Sequence, residues 1–181
     1  GVGLSPWPED FRVTGSLWEG RGARMDEMIE IVRGLCTGRY FEFHGKYYDI
    51  ESIKMSPAPS QPLPILVGGH ADAALRRAAR LGDGWMHAGG DGDTLKKLLA
   101  RLQELRREYG TDKRPFEIHV ISLDGFPVDG AKRLEDLGVT AGLLVAELVA
   151  REAENRETLG GVLVVQRLEP LELRCEPALA R

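Results

Sequence analysis

The stretch PILVGGHADAALRRAARLGDGW, Pro64 to Trp85, decides the fold. Ile65 to Val67 is wholly apolar and is bounded by Pro64 and Gly68, which predicts a short strand buried on both faces, as in a parallel sheet. Ala71, Ala74, Leu75, Ala78 and Ala79 then predict a helix with a face of small residues, able to lie close to a sheet. Gly84 to His87 is the next short strand. Strand, glycine turn, helix and strand in that order predict a parallel α/β unit.

The same alternation continues outward from this stretch. Leu95, Leu98, Leu99, Leu102 and Leu105 mark an amphipathic helix ending at Gly110. Phe116 to Leu123 reads as a strand, Val128 to Leu137 as a helix and Val139 to Val145 as a strand. Upstream, Met25, Met28, Ile29, Val32, Leu35 and Cys36 share one helical face, with Gly38 as its stop. Pro6 and Pro8 argue against helix in GVGLSPWPEDF. YFEFHGKYYDI reads as a hairpin turning at Gly45, its aromatics a plug over one end of the core, with a lid as the other reading. Beyond Ala146 the pattern weakens: Glu147 to Leu159 reads as a helix, and Gly161 to Val165 and Leu168 to Arg174 as strands. The order fits either an open doubly wound sheet or a (β/α)8 barrel, in a single domain over 1–181 with a divergent tail at 146–181.

Composition sets the boundaries. With 181 residues, 43% of them hydrophobic and 29% charged, the chain has the makeup of one globular domain with a core. A net charge of −4 without a basic stripe argues against nucleic acid as a partner, and no apolar run is long enough to span a membrane. Two distant cysteines and no signal peptide predict buried or idle thiols in the cytoplasm, one disulfide being the other reading. The four histidines show no metal-ligand spacing, and no G-x-S-x-G elbow accompanies the serines.

The glycine turn carries the chemistry. Gly68 and Gly69 let the backbone approach a ligand closely, and the N–H groups of Gly69, His70 and Ala71 would open a helix whose first turn has unpaired donors. His70 adds a side-chain donor, and Asp72 is a candidate cap. The other reading is that the glycines only make a tight turn. The spacing is neither G-x-G-x-x-G nor a nucleotide P-loop. Asp83, Gly84 and Trp85 would form a second wall of the pocket, with Trp85 flat against a planar ring; the other reading is a core tryptophan.

GVGLSPWPEDF, EGRGARMDEMIE, FEFHGKYYDI, MSPAPSQPLPILVGGHADAALRRAARLGDGW and LGVTAGLLV, in that order, resemble the luciferase-like monooxygenase family, and within it the deazaflavin-dependent oxidoreductases. The resemblance covers about Gly1 to Val145 and implies a (β/α)8 barrel of which this chain is the later half. It implies that Gly68, Gly69, His70 and Ala71 contact the phosphate-bearing side chain of coenzyme F-420, a deazaflavin, with Asp83, Gly84 and Trp85 beside it. The expected chemistry is hydride transfer with a small organic substrate, FMN being the alternative cofactor and a monooxygenase the alternative activity. A non-catalytic cofactor-binding remnant is the competing reading. Ser5 stands where the family's sugar-phosphate dehydrogenases carry a glutamate, and no residue of this chain is assigned as catalytic acid or base. Open sheet edges in a half barrel predict either a further part of the protein that covers them or a homo-oligomer, of which the homo-oligomer is the expectation.

Overall fold

A computed structural model describes residues 1–122, 128–146 and 162–167. Two compact units divide the chain, 1–117 and 118–181.

The first unit begins with an extended segment, Gly1 to Gly3, which lies parallel to the third strand. Val2 N–H donates to Leu66 O at 2.8 Å, and Gly68 N–H donates to Val2 O at 2.7 Å. Helix α1 (Pro8–Val13) follows. The two prolines do not prevent it: Pro8 opens the helix, where its missing N–H would have had no intrahelical partner and its fixed φ is already helical. Helix α2 (Arg21–Cys36) buries Met25, Ile29 and Ile31, while Met28 and Val32 stay 46% and 47% exposed.

Strands β1 (Phe41–His44) and β2 (Asp49–Ile53) form the expected antiparallel hairpin, pairing Phe43 with Ile50 and His44 with Asp49. The hairpin docks on α2 at two points. The Glu27 carboxylate accepts the N–H groups of Lys46, Tyr47 and Tyr48 at 2.8, 2.9 and 3.1 Å. The Phe41 ring occupies the space that a side chain at Gly34 would need. That explains a glycine inside a helix, where it costs about 1 kcal/mol relative to alanine.

Strand β3 (Leu66–Gly68), helix α3 (Asp72–Leu81), strand β4 (Gly84–His87) and helix α4 (Gly92–Glu108) form two successive strand–helix units. β3 and β4 are parallel, with Leu66 opposite Gly84 and Gly68 opposite Met86. Leu75, Ala78 and Ala79 of α3 and Leu95, Leu102 and Leu105 of α4 are buried. The turn after α4 is fixed by buried polar groups. Thr111 Oγ1 donates to Ala79 O at 2.8 Å, and the Arg106 guanidinium donates to Thr111 O and Arg114 O, both at 2.7 Å. Burial lowers the proton affinity of Arg106, whose guanidinium also lies 4.3 Å over the Phe116 ring.

In the second unit, β5 (Glu117–Ile121) pairs in parallel with β6 (Ala141–Ala146), His119 standing opposite Ala141. Helix α5 (Val128–Asp136) connects them in sequence, and Leu134, Val139 and Ala141 are buried. β6 also pairs with β7 (Val162–Arg167), in antiparallel register, so the strand expected near Gly161 exists. The helix expected at 147–159 and the strand expected at 168–174 lie outside the described residues. Among the described residues, no helix is long and apolar enough to cross a membrane, and no cluster of histidine, cysteine and carboxylate groups could hold a metal ion.

Candidate functional site

A cleft of about 810 Å³ opens beyond the carboxyl end of β3. The first segment supplies Gly3, Leu4 and Pro6 to it, α2 supplies Arg21 and Met25, and the turn into α3 supplies Gly68 to Ala71. Small and apolar residues make up most of the lining, interspersed with Arg21, Arg77 and Ser5 and with His70 at the glycine turn, a mostly apolar wall with a few polar groups of the kind that small-molecule sites have.

Gly69 has φ +121°, a conformation that side chains rarely adopt, and an added Cβ would sit 3.0 Å from the Ala74 methyl. Gly68 differs. A Cβ there would meet nothing nearer than Val2 O at 3.6 Å, and one at Gly3 nothing nearer than Gly68 O at 3.9 Å. Packing alone does not require glycine at these two positions, and both face the cleft. Their missing side chains leave room for a ligand against the backbone, so the cradle fits a phosphate-bearing group.

Helix α3 has no side-chain cap. Its N-cap is Ala71, and Asp72 enters the first turn instead of capping it, because its carboxylate is taken by Arg76 at 2.7 Å and Arg101 at 2.8 Å. Those two guanidinium groups hold the Asp72 carboxyl below the usual carboxylate range. The first-turn N–H groups of α3 thus keep no carboxylate of their own, and the helix dipole adds positive potential at the cleft.

His70 lines the cleft. Ala88 N–H donates to its Nε2 at 3.2 Å, so Nδ1 carries the proton and is the ring's donor. Beneath it lies His87, 1% exposed, with ring centroids 4.6 Å apart and planes 19° from parallel. Neither nitrogen of His87 has a partner among the described residues. Burial first, and then the proximity of His70, push its proton affinity below the usual imidazole range, against an opposing pull from Asp91.

The sequence places seven residues at the site, and the structure brings four of them to the cleft: Gly68, Gly69, His70 and Ala71. Trp85 is fully buried under the turn and donates its indole N–H to Gly69 O at 2.9 Å. It shapes the turn from below and offers no open ring face. Asp83 and Gly84 stand at the opposite end of β4 from the turn. Asp83 Oδ2 accepts Ile65 N–H at 2.8 Å and an Arg33 N–H at 2.6 Å, and a side chain at Gly84 would run into Glu117 O. The expected grouping of Asp83 and Gly84 with the glycine turn is therefore corrected: a strand of four residues separates its two ends, and only the carboxyl end meets the cleft.

Sequence reasoning missed Arg21, Leu4 and His87. Leu4 and Arg21 reach the cleft from elements distant in sequence, and nothing local marks them. His87 had a signal: it lies two residues after Trp85 on one strand, so both side chains point to the same face. Ser5 lines the cleft, and its hydroxyl donates to Asp10 Oδ2 at 2.5 Å and accepts Trp7 N–H at 3.1 Å.

The profile of the luciferase-like monooxygenase family matches residues 1–123. An uncharacterised protein of Mycobacterium tuberculosis is 57% identical over 184 aligned residues, covering 100% of this chain and 60% of its relative. The F-420-dependent glucose-6-phosphate dehydrogenase of Nakamurella multipartita is 28% identical over 182 residues, covering 99% of this chain and 49% of the enzyme. Among solved structures, the coenzyme F-420-dependent tetrahydromethanopterin reductase of Methanopyrus kandleri superposes with a TM-score of 0.57 at 16% identity, over 67% of this chain and 40% of that one. The fold is thus α/β and part of a (β/α)8 barrel, and the chain spans about 60% of the length of the first relatives it matches.

Proposed function

The chain belongs to the luciferase-like monooxygenase family, and from that premise we propose that it forms the cofactor-binding part of an oxidoreductase that transfers hydride between a small organic substrate and coenzyme F-420. The observation that carries the reading is the turn at Gly68 and Gly69. One glycine is required by its φ, the other leaves room against the backbone, and both face a cleft beside an uncapped helix. The relatives named for F-420 support a deazaflavin over FMN.

The bound cofactor supplies the hydride chemistry. The chain's own residues bind and orient. The N–H groups at Gly69, His70 and Ala71 hold an anionic side chain, with His70 Nδ1–H as a further donor. Leu4, Pro6 and Met25 give the cleft an apolar wall that excludes water from the ring. Arg21, whose guanidinium lies 3.5 Å over the Trp18 ring, places a cation at the same wall. No carboxylate lines the cleft among the described residues, so proton transfer to substrate is not assigned to this chain.

Titration of the purified protein with coenzyme F-420 and with FMN, followed by cofactor fluorescence, tests the reading. Saturable binding of F-420 with weaker or no binding of FMN is expected. Preferential binding of FMN moves the assignment to the flavin monooxygenases, and binding of neither overturns it.

A further inference from the structure

We infer that the cleft holds a second anion subsite at the start of α2, where Arg21 and Arg77 take a carboxylate or phosphate group distinct from the one at the glycine turn. The inference deepens the reading of the cleft as a cofactor site and rests on that reading for which molecule carries the group.

Three observations carry it. The first is Arg77. It is 8% exposed and lines the cleft from α3, yet only its Nε–H has an acceptor among the described residues, the Asp26 carboxylate. Both terminal nitrogens of the guanidinium are left without an acceptor there. A cation taken this far out of water needs its donors paired, and no carboxylate of the described residues lines the cleft to pair them. Gly22 makes room for one of the two, since a Cβ there would stand 2.8 Å from Arg77 Nη2.

The second is Arg21, which lines the same cleft. Its guanidinium lies 3.5 Å over the Trp18 ring, and Trp18 in turn packs edge-on against Phe11. Its one side-chain hydrogen bond among the described residues is a 3.4 Å donation to Trp18 O, beyond the usual N–H range. Stacking thus holds the cation in place and leaves its fork of donors for a ligand.

The third is the charge around both. Helix α2 opens at Gly20 with no side-chain cap and no acidic residue in its first turn, where a carboxylate would offset the helix dipole; Arg21 stands there instead. Asp26 is shared between Arg77 and Arg80, while Arg21 and Arg24 form no ion pair among the described residues. Glu27 is taken by the hairpin, and Glu19 is exposed and pairs with no cation there. A chain of net charge −4 therefore gathers uncompensated positive charge at one end of a mostly apolar cleft. An oxyanion arriving there gains charge-assisted hydrogen bonds from two planar forks whose geometry matches carboxylate and phosphate.

The test reads the two arginines directly. In protein carrying ¹⁵N-arginine, the Nε–H signals of Arg21 and Arg77 should shift saturably as inorganic phosphate is added. The signal of Arg12, exposed and paired with Glu9, should stay in place. In Arg21→Gln, the phosphate Kd read at Arg77 should rise on the order of tenfold. Arg80→Gln removes an equal charge from the same cluster but outside the cleft lining, and should leave that Kd within about twofold of the parent. Arg77→Lys keeps the charge and loses the fork, and should weaken the response at Arg21; if it does not fold, Arg21→Gln decides. Saturation with coenzyme F-420 then separates the sources of the group. Arginine signals that shift with F-420 and no longer respond to phosphate assign the group to the cofactor; signals that still respond assign it to an acidic substrate, and either result upholds the subsite. Absence of a saturable phosphate response at both arginines overturns the inference, as does equal weakening by Arg21→Gln and Arg80→Gln. If F-420 does not bind, the cofactor reading fails, and the phosphate titration still decides the subsite.

Discussion

Gly68 and Gly69 are neighbours whose replacement should fail in different assays. Gly69→Ala places a methyl in a backbone conformation at φ +121° and against Ala74, a strain of about 1–3 kcal/mol. A lower urea midpoint is expected. Gly68→Ala meets only ordinary contacts, so its unfolding curve should match the parent's, while affinity for coenzyme F-420 falls on the order of tenfold as the backbone is held away from the anion. The two histidines with shifted proton affinity give opposite pH signatures. His87 has a folded pKa below its ordinary 6.5, so below that value the unfolded chain takes up a proton that the folded chain refuses. Its stability contribution is complete above pH 6.5 and declines as pH falls, with a slope of up to about 1.4 kcal/mol per pH unit. His44 is exposed and hydrogen-bonded to Asp49 at 2.6 Å, which raises its folded pKa; its contribution is present below the ordinary value and lost as pH rises through the folded one. Urea unfolding of His87→Phe across the acid range should lack the first slope and keep the second.

At the scale of elements, the hairpin stays on α2 through Glu27 and Gly34. Glu27→Ala leaves three main-chain N–H groups without their carboxylate, and a loss of about 1–3 kcal/mol is expected. Limited proteolysis should then cut within residues 45–48 of the turn. Gly34→Ala should also destabilise, although alanine is the better helix former, because its methyl needs the volume of the Phe41 ring. An unchanged or raised urea midpoint for Gly34→Ala would remove the docking role of that ring. The hairpin itself was legible in FEFHGKYYDI from its aromatics and Gly45. Its docking was not, because a carboxylate at Glu27 and a gap at Gly34 acquire their meaning only when α2 is laid beside it. The same limit explains the misreading of Asp72: as a residue before a helix it looks like a cap, until Arg101 from α4 arrives to claim it.

At the scale of the molecule, the exposed apolar row on α2 is the feature that the helical pattern alone does not explain. Met28 and Val32 continue the stripe of Met25 and Ile29, yet they border an open groove of about 380 Å³ lined also by Val2 and Ile65. A stripe of that periodicity is expected to be covered, and the proposed homo-oligomer would cover it with a second copy of the chain. Light scattering of the parent against Met28→Lys/Val32→Lys tests this. A concentration-dependent dimer abolished by the two lysines is expected, and a parent that stays monomeric at all concentrations sinks the proposal.

The sequence by itself determined the alternation of strand and helix, the two glycines between β3 and α3, and the small-residue face that lets α3 lie close to the sheet. Those follow from periodicity and backbone sterics, which act over a few residues. Tertiary structure alone decided which end of β4 meets the cleft, that Trp85 supports the turn from below, that His87 lies under His70, and that Leu4 and Arg21 share a wall with Gly68. Each of these depends on which side chains are brought together by chain segments tens of residues apart, and no local pattern encodes that distance.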